Sequence, residues 1–238
     1  RVSKMLKWRA AALTYRCGKG EQIRNSFYIS PDSRVFVVAE TYGRGSIFTA
    51  SGDAVEAVER LWQQSQPDNT DKEAIQEWLS KAVSCANAAA WAASKDDSPG
   101  VSTSISLGVQ ADPSCLFVAH VGITCTYQIR RNKTIKVIAD DYSNYKEVQV
   151  MMKEWLARSP EQMHLIGWEY MQRCIGRSET VDIEASTAAE LLAGDYIIFG
   201  TEGLRLAVNE ETIVDFVPPD SEPEVVCQNL VNQAIECG

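Results

Sequence analysis

Two acidic residues stand where they can do chemistry. In Val35-Phe36-Val37-Val38-Ala39-Glu40-Thr41-Tyr42-Gly43 and in Ile197-Ile198-Phe199-Gly200-Thr201-Glu202-Gly203-Leu204, an apolar run of strand character ends in a lone acid followed by a turn. Such a pattern delivers a carboxylate to the end of a sheet, and carboxylates gathered there make sites for hard cations such as Mg²⁺ or Mn²⁺. The other chemistry-bearing residues have plainer readings. His120 lies in an apolar strand between Ala119 and Val121 and reads as a structural histidine, while His164 has no nameable partner. Cys125, five residues further along, would face the opposite side of a strand from His120, which disfavours a Cys/His nucleophile pair. Gly43-Arg44-Gly45-Ser46 lacks both the P-loop lysine and the dinucleotide glycine spacing, so it reads as a turn. Asn25, taken alone, reads as a loop hydrogen-bonder.

The elements that position these residues follow from periodicity and punctuation. Residues 26–30 and 35–39 are short β-type runs around Pro31-Asp32-Ser33, which predicts a hairpin. From Asp53, the spacing of Ala54, Val55, Val58, Leu61 and Trp62 predicts an amphipathic helix. Thr70-Asp71-Lys72-Glu73 matches a capping box for a second, longer helix to about Ala93, with Ile75, Trp78, Leu79, Ala82, Cys85, Ala86 and Ala89 on its apolar face. Trp62, Trp78 and Trp91 read as packing residues on these helices. Lys95-Asp96-Asp97-Ser98-Pro99-Gly100 opens a strand-rich middle at 103–109, 115–121, 124–130 and 134–139, with a hairpin turn at Arg131-Asn132-Lys133. A helix is expected near Lys146–Arg158, strands at Val181–Glu184 and Tyr196–Phe199, and a last helix after Ser221-Glu222-Pro223-Glu224, stopped by Gly238. Two long adjacent helices inside a strand-rich chain predict an α+β fold, antiparallel sheets with helix layers outside.

Composition bounds the function. The 238 residues, 45% of them hydrophobic, suffice for one large domain. A net charge of −9 argues against nucleic acid or an anionic membrane as partner and favours basic or metal-bearing ones. Cys17, Cys85, Cys115, Cys125, Cys174, Cys227 and Cys237 are scattered without a Cys-x-x-Cys pair, which reads as reduced thiols in a cytoplasmic or other reducing intracellular compartment. No apolar run approaches the roughly 18 residues of a membrane span.

Taken in order, the motifs resemble the metal-dependent protein phosphatase family of type 2C. The family's Ala-Asp-Gly-Met-Gly-Gly is matched by Ala39-Glu40-Thr41-Tyr42-Gly43-Arg44, and its Ala-His-Val-Gly-Asp-Ser-Arg-Ala-Tyr by Ala119-His120-Val121-Gly122-Ile123-Thr124-Cys125-Thr126-Tyr127. Asp140-Asp141-Tyr142-Ser143 stands where Glu-Asp-His-Ser is usual. Gly194-Asp195-Tyr196-Ile197-Ile198-Phe199-Gly200-Thr201-Glu202-Gly203-Leu204 matches Gly-Asp-x-x-Leu-Leu-x-Ser-Asp-Gly-Leu, with acids following at Glu210 and Glu211. The resemblance implies a single domain over 1–238 with a four-layer α-β-β-α sandwich, two stacked antiparallel β-sheets flanked by helix pairs. It also implies that a closing Gly-x-Asp-Asn and strand would follow Cys237-Gly238; with Arg1 as first residue, a fragment of a longer chain is one reading.

In that family two divalent cations activate the water that attacks phosphorus, and aspartates hold both ions. The resemblance places Asn25 at an anionic ligand position, Glu40 and Thr41 at the central Asp-Gly, Ile123 at a metal-associated aspartate, Glu202 at the late aspartate and Leu206 at a further acid. The phosphate-binding arginine has no single register among Arg16, Lys19 and Glu21. Glu reaches one methylene beyond Asp, and near-octahedral Mg²⁺ or Mn²⁺ tolerates such a displacement poorly. Three expectations result. The first is a catalytically impaired, pseudophosphatase domain serving as a protein-interaction or regulatory scaffold, without cofactor. The alternative is an atypical Ser/Thr phosphatase binding Mg or Mn through Glu40 and Glu202. The third is an unrelated α+β binding domain.

Overall fold

The computed structural model describes residues 8–15, 24–42, 50–95, 102–112, 114–139, 173–183, 187–208 and 211–237. The expectations for Arg16, Lys19 and Glu21, Gly43-Arg44-Gly45-Ser46, Asp96–Gly100, Asp140–Ser143, the helix near 146–158, His164, Glu210 and Gly238 lie outside them. Strands β1 (Asn25–Ile29) and β2 (Val35–Tyr42) form the expected hairpin. Helices α1 (Ala50–Gln64) and α2 (Lys72–Lys95) follow. Next come β3 (Ser102–Asp112), β4 (Cys115–Val121), β5 (Cys125–Ile129) and β6 (Ile135–Ala139). The chain continues through β7 (Thr187–Glu190), β8 (Tyr196–Gly200), α3 (Glu202–Ala207), a 3₁₀ turn at Ile213–Phe216 and α4 (Pro223–Cys237).

All strand pairs are antiparallel, in one sheet of order β1-β2-β3-β4-β7 and a second of order β6-β5-β8. The period-2 alternation of β2 explains the layering. Val35, Val37 and Ala39 point into a core with Ala54, Val58 and Trp62 of α1 and Ile75, Leu79 and Val83 of α2. Phe36, on the opposite face, packs with Leu116, Val118 and Phe199 in the space between the sheets. On β8 the same alternation sends Ile197 and Phe199 toward the first sheet and Ile198 toward Val226 and Leu230 of α4. The result is the expected four-layer α-β-β-α sandwich, with α1 and α2 outside one sheet and α4 with the short α3 outside the other. Trp62 and Trp78 meet edge to face at 5.4 Å within the helix layer, and the Trp78 indole N–H donates to the Ser65 carbonyl at 2.7 Å.

The sheets approach so closely at Gly108 that a Cβ there would sit 2.7 Å from the Phe199 ring, which itself stacks on Phe36 at 6.3 Å. Only glycine fits that contact.

Three local expectations are corrected. The N-cap of α2 is Asp71, whose carboxylate accepts the Ala74 N–H at 3.1 Å; Thr70 instead bonds Asp68 through both its N–H and hydroxyl. Residues 181–183 form no strand, because Val181 and Ile183 pack onto the helix-layer core while the partner edge of β4 is taken by Thr187–Glu190. His120 and Cys125 do not share a strand, since Gly122 at φ +96° ends β4 in a turn. The nucleophile pair is absent all the same. The His120 ring meets the Thr124 carbonyl at 2.8 Å through Nε2, and the Cys125 thiol lies 3.6 Å from the Gly200 carbonyl.

Candidate functional site at the strand ends

Glu40 and Glu202 come together although 162 positions separate them in sequence. Glu40 lies near the end of β2 on the face that Phe36 uses, so its carboxylate leaves the first sheet toward the second. Glu202 opens α3 immediately after β8. The Glu202 backbone N–H donates to Glu40 Oε2 at 2.8 Å, and the same oxygen accepts the Tyr42 hydroxyl. Thr201, which precedes α3, makes no side-chain cap bond, so Glu40 supplies from the other sheet an acceptor for the first turn of this helix.

The electrostatics of Glu40 follow from this setting. Burial and the nearby Glu202 carboxylate disfavour the charged form and push its pKa up to about 7, against the opposing influence of the Tyr42 and Glu202 hydrogen bonds and the Arg24 charge.

The remaining positions implied by the resemblance are placed as follows. Asn25 sits directly across the β1–β2 ladder from Glu40, with its side-chain carbonyl buried and lacking a hydrogen-bond partner among the described residues. Thr41 points to the other face. It is buried, and its hydroxyl accepts the Ser51 N–H at 2.7 Å at the start of α1. Ile123 is in the β4–β5 turn, where its N–H donates to Ser104 Oγ at 3.0 Å. Leu206 lies in α3.

Two contributors were not singled out from sequence, Tyr42 and Arg205. Tyr42 lies two residues beyond Glu40 and therefore on the same strand face. Arg205, only 8% exposed, donates from Nη1 to the Ile123 carbonyl at 3.4 Å, so a guanidinium is buried against the turn. Its spacing of three from Glu202 puts both on neighbouring parts of α3, a signal that the acidic motif overshadowed.

A two-ion centre needs several oxygen ligands converging on each cation. Here one carboxylate oxygen is already engaged by two protein donors, the turn residue Ile123 is apolar, and the residue across the ladder from Glu40 is the neutral Asn25. Among the described residues no three His, Cys, Asp or Glu side chains gather into a metal-holding group. These residues do not fit the two-metal arrangement that the resemblance implies, and no catalytic step can be derived through it.

No protein-family model matches the chain. Solved structures do. The PPM Ser-Thr phosphatase MsPP from Mycobacterium smegmatis, in complex with cacodylate, superposes with a TM-score of 0.66 at 21% identity over 92% of this chain and 88% of that one. The catalytic domain of the serine/threonine phosphatase PstP, in complex with two manganese ions, gives 0.67 at 22% over 97% and 90%. The serine/threonine phosphatase Stp1 from Staphylococcus aureus gives 0.71 at 15% over 91% and 84%. At these identities the likeness is one of fold, and the fold of this chain is that of the PPM Ser/Thr phosphatases.

Proposed function

We propose that the chain is a catalytically impaired type 2C phosphatase-like domain, a pseudophosphatase, that acts as a protein-interaction or regulatory scaffold without a metal cofactor. The observation that carries this reading is the engagement of Glu40 Oε2 by the Tyr42 hydroxyl and the Glu202 N–H, which turns the central ligand position to structural use. Asn25, Ile123 and Leu206 support it, because neither a neutral amide nor an apolar side chain can hold the charge of a dinuclear centre. The partner is a protein presenting basic surface, argued from the net charge of −9, rather than nucleic acid or an anionic membrane. Among the described residues no helix is long and apolar enough to cross a membrane. The thiols Cys85, Cys115 and Cys227 agree with a reducing compartment.

The test is hydrolysis of a phosphoserine or phosphothreonine peptide with millimolar Mn²⁺ or Mg²⁺. Turnover no faster than the metal-only background is expected; metal-dependent turnover abolished by Glu202→Ala would overturn the reading.

One observation favours a second reading. The Glu202 charge adds to burial in raising the Glu40 pKa, so the two acids share one electrostatic neighbourhood in which a cation would be favoured. An atypical Mn- or Mg-dependent Ser/Thr phosphatase using this pair, as the two manganese ions of PstP illustrate for that protein, requires divalent-ion binding below millimolar concentration. A flat calorimetric titration sinks it.

A further inference from the structure

We propose that Glu40, Tyr42 and Arg205 form a metal-independent clasp that joins the two sheets at the positions where the resemblance puts metal ligands. The proposal rests on the reading above only in taking those positions to be free of metal; it assigns them a different task. Three contacts carry it. Glu40 belongs to the first sheet and α3 is attached to the second, so the Glu202 N–H to Glu40 bond at 2.8 Å is a tie between sheets. The Tyr42 hydroxyl, on the same oxygen, fixes the carboxylate in the orientation that reaches α3. Arg205, one turn further along α3, binds the Ile123 carbonyl in the turn that carries the chain from β4 of the first sheet to β5 of the second. That turn is itself anchored, since the Ile123 N–H donates to Ser104 on β3 and Gly122 leaves no room for a Cβ beside Ser104.

The arrangement assigns each unusual residue a use. Buried acceptors where the two sheets meet need donors matched to them. Glu40, longer than Asp by a methylene, spans from the strand to the backbone of α3. Tyr42 brings a donor to the strand, and Arg205 brings a buried cation to the turn, where the metal-associated aspartate has become Ile123. Hydrogen-bond acceptance, rather than negative charge, is what the clasp requires of Glu40.

Thermal unfolding of the full chain at about pH 6, below the Glu40 pKa of about 7, tests this, with parent, Glu40→Ala, Glu40→Gln and Tyr42→Phe each measured in EDTA and in millimolar Mn²⁺. Glu40→Ala strands the Glu202 N–H and the Tyr42 hydroxyl and lowers Tm by roughly 5 °C or more. Glu40→Gln keeps an acceptor and holds Tm at or above the parent, and Mn²⁺ moves none of the four. If Glu40→Ala gives no folded protein, the comparison passes to Tyr42→Phe, whose Tm must fall below the parent. A Glu40→Ala variant, or in its absence a Tyr42→Phe variant, as stable as the parent overturns the clasp and leaves the pseudophosphatase reading standing. A parent Tm that rises in Mn²⁺, with the rise lost in Glu40→Gln, overturns the clasp by making Glu40 a ligand. Metal-dependent phosphopeptide hydrolysis, measured separately, is what fails the functional reading.

Discussion

Replacing Glu40 by Gln should stabilise the protein in mild alkali and do little in mild acid. The folded protein holds the Glu40 pKa at about 7, against 4.5 for an unperturbed Glu, chiefly through burial and secondly through the Glu202 charge. At ~1.4 kcal/mol for each tenfold change in proton affinity, this difference amounts to about 3 kcal/mol. The sign follows from proton binding. Between pH 4.5 and about 7 the folded state binds more protons at this site than the unfolded state, so stability falls as pH rises. The contribution is fully present below the unfolded value and has been lost once pH passes the folded one. Gln mimics the protonated acid and does not titrate, so the variant escapes the loss. At ~2–4 °C per kcal/mol for a domain of this size, its Tm at pH 8 should exceed the parent's by roughly 6–12 °C. The assay is thermal unfolding by circular dichroism at half-unit steps from pH 4.5 to 8, read as variant minus parent, so that other titrating groups cancel. A difference that stays constant with pH, or a Gln variant less stable at pH 8, would refute the argument, because the carboxylate charge would then be wanted rather than tolerated.

Asn87→Ala should cost about 3 kcal/mol in urea unfolding, since it strands the Gly176 N–H, bound at 2.9 Å, and removes two donated bonds to the Ser178 and Glu179 carbonyls. An effect below ~1 kcal/mol would mean that the 173–180 segment is held elsewhere. Gly108→Ala should cost ~1–3 kcal/mol by pressing a methyl onto Phe199, and Phe199→Leu in the same chain should recover part of it; equal losses in single and double variants would show that the sheets do not meet there. Cys174, 5% exposed and with its pKa raised by burial, should resist alkylation at pH 8 in native buffer and react fully in denaturant, as peptide mass spectrometry can read.

Much of the architecture was legible because its signals are local and repeated. The alternation in β2, the apolar spacing of α1 and α2, and the Pro31-Asp32-Ser33 turn each specify an element, and their order specifies a layered α+β sandwich. The misreadings occur where tertiary contacts decide. Thr187-Ala188-Ala189-Glu190 carries no strand signal in sequence, yet it is a strand because β4 offers it an edge. Val181 and Ile183 have β-type side chains that the helix-layer core takes up without any ladder. Asp71 prevails over Thr70 as cap because Thr70 is already committed to Asp68.

At the site, the two acids at the strand ends were visible in sequence, but the hydrogen bond from the Glu202 N–H to Glu40 was not. A carboxylate at a strand end looks the same in sequence whether it awaits a cation or accepts a backbone N–H. The difference lies in what else reaches it. Tyr42 reads as an ordinary strand residue and Arg205 as an ordinary helix residue until the fold sets one on the oxygen of Glu40 and the other on the carbonyl of Ile123. Metal ligation and hydrogen-bond acceptance compete for the same lone pairs, so a carboxylate oxygen that already takes two donors offers a cation less than its position suggests. Glu40 serves as an acceptor for which protonation is tolerable near neutral pH, and Glu202 contributes its backbone N–H, which any residue but proline could supply. Substituting Glu202 should therefore leave the clasp intact and relieve the repulsion on Glu40, lowering the Glu40 pKa; a Glu202→Gln variant whose pH–stability curve still bends near 7 would show that burial alone sets it.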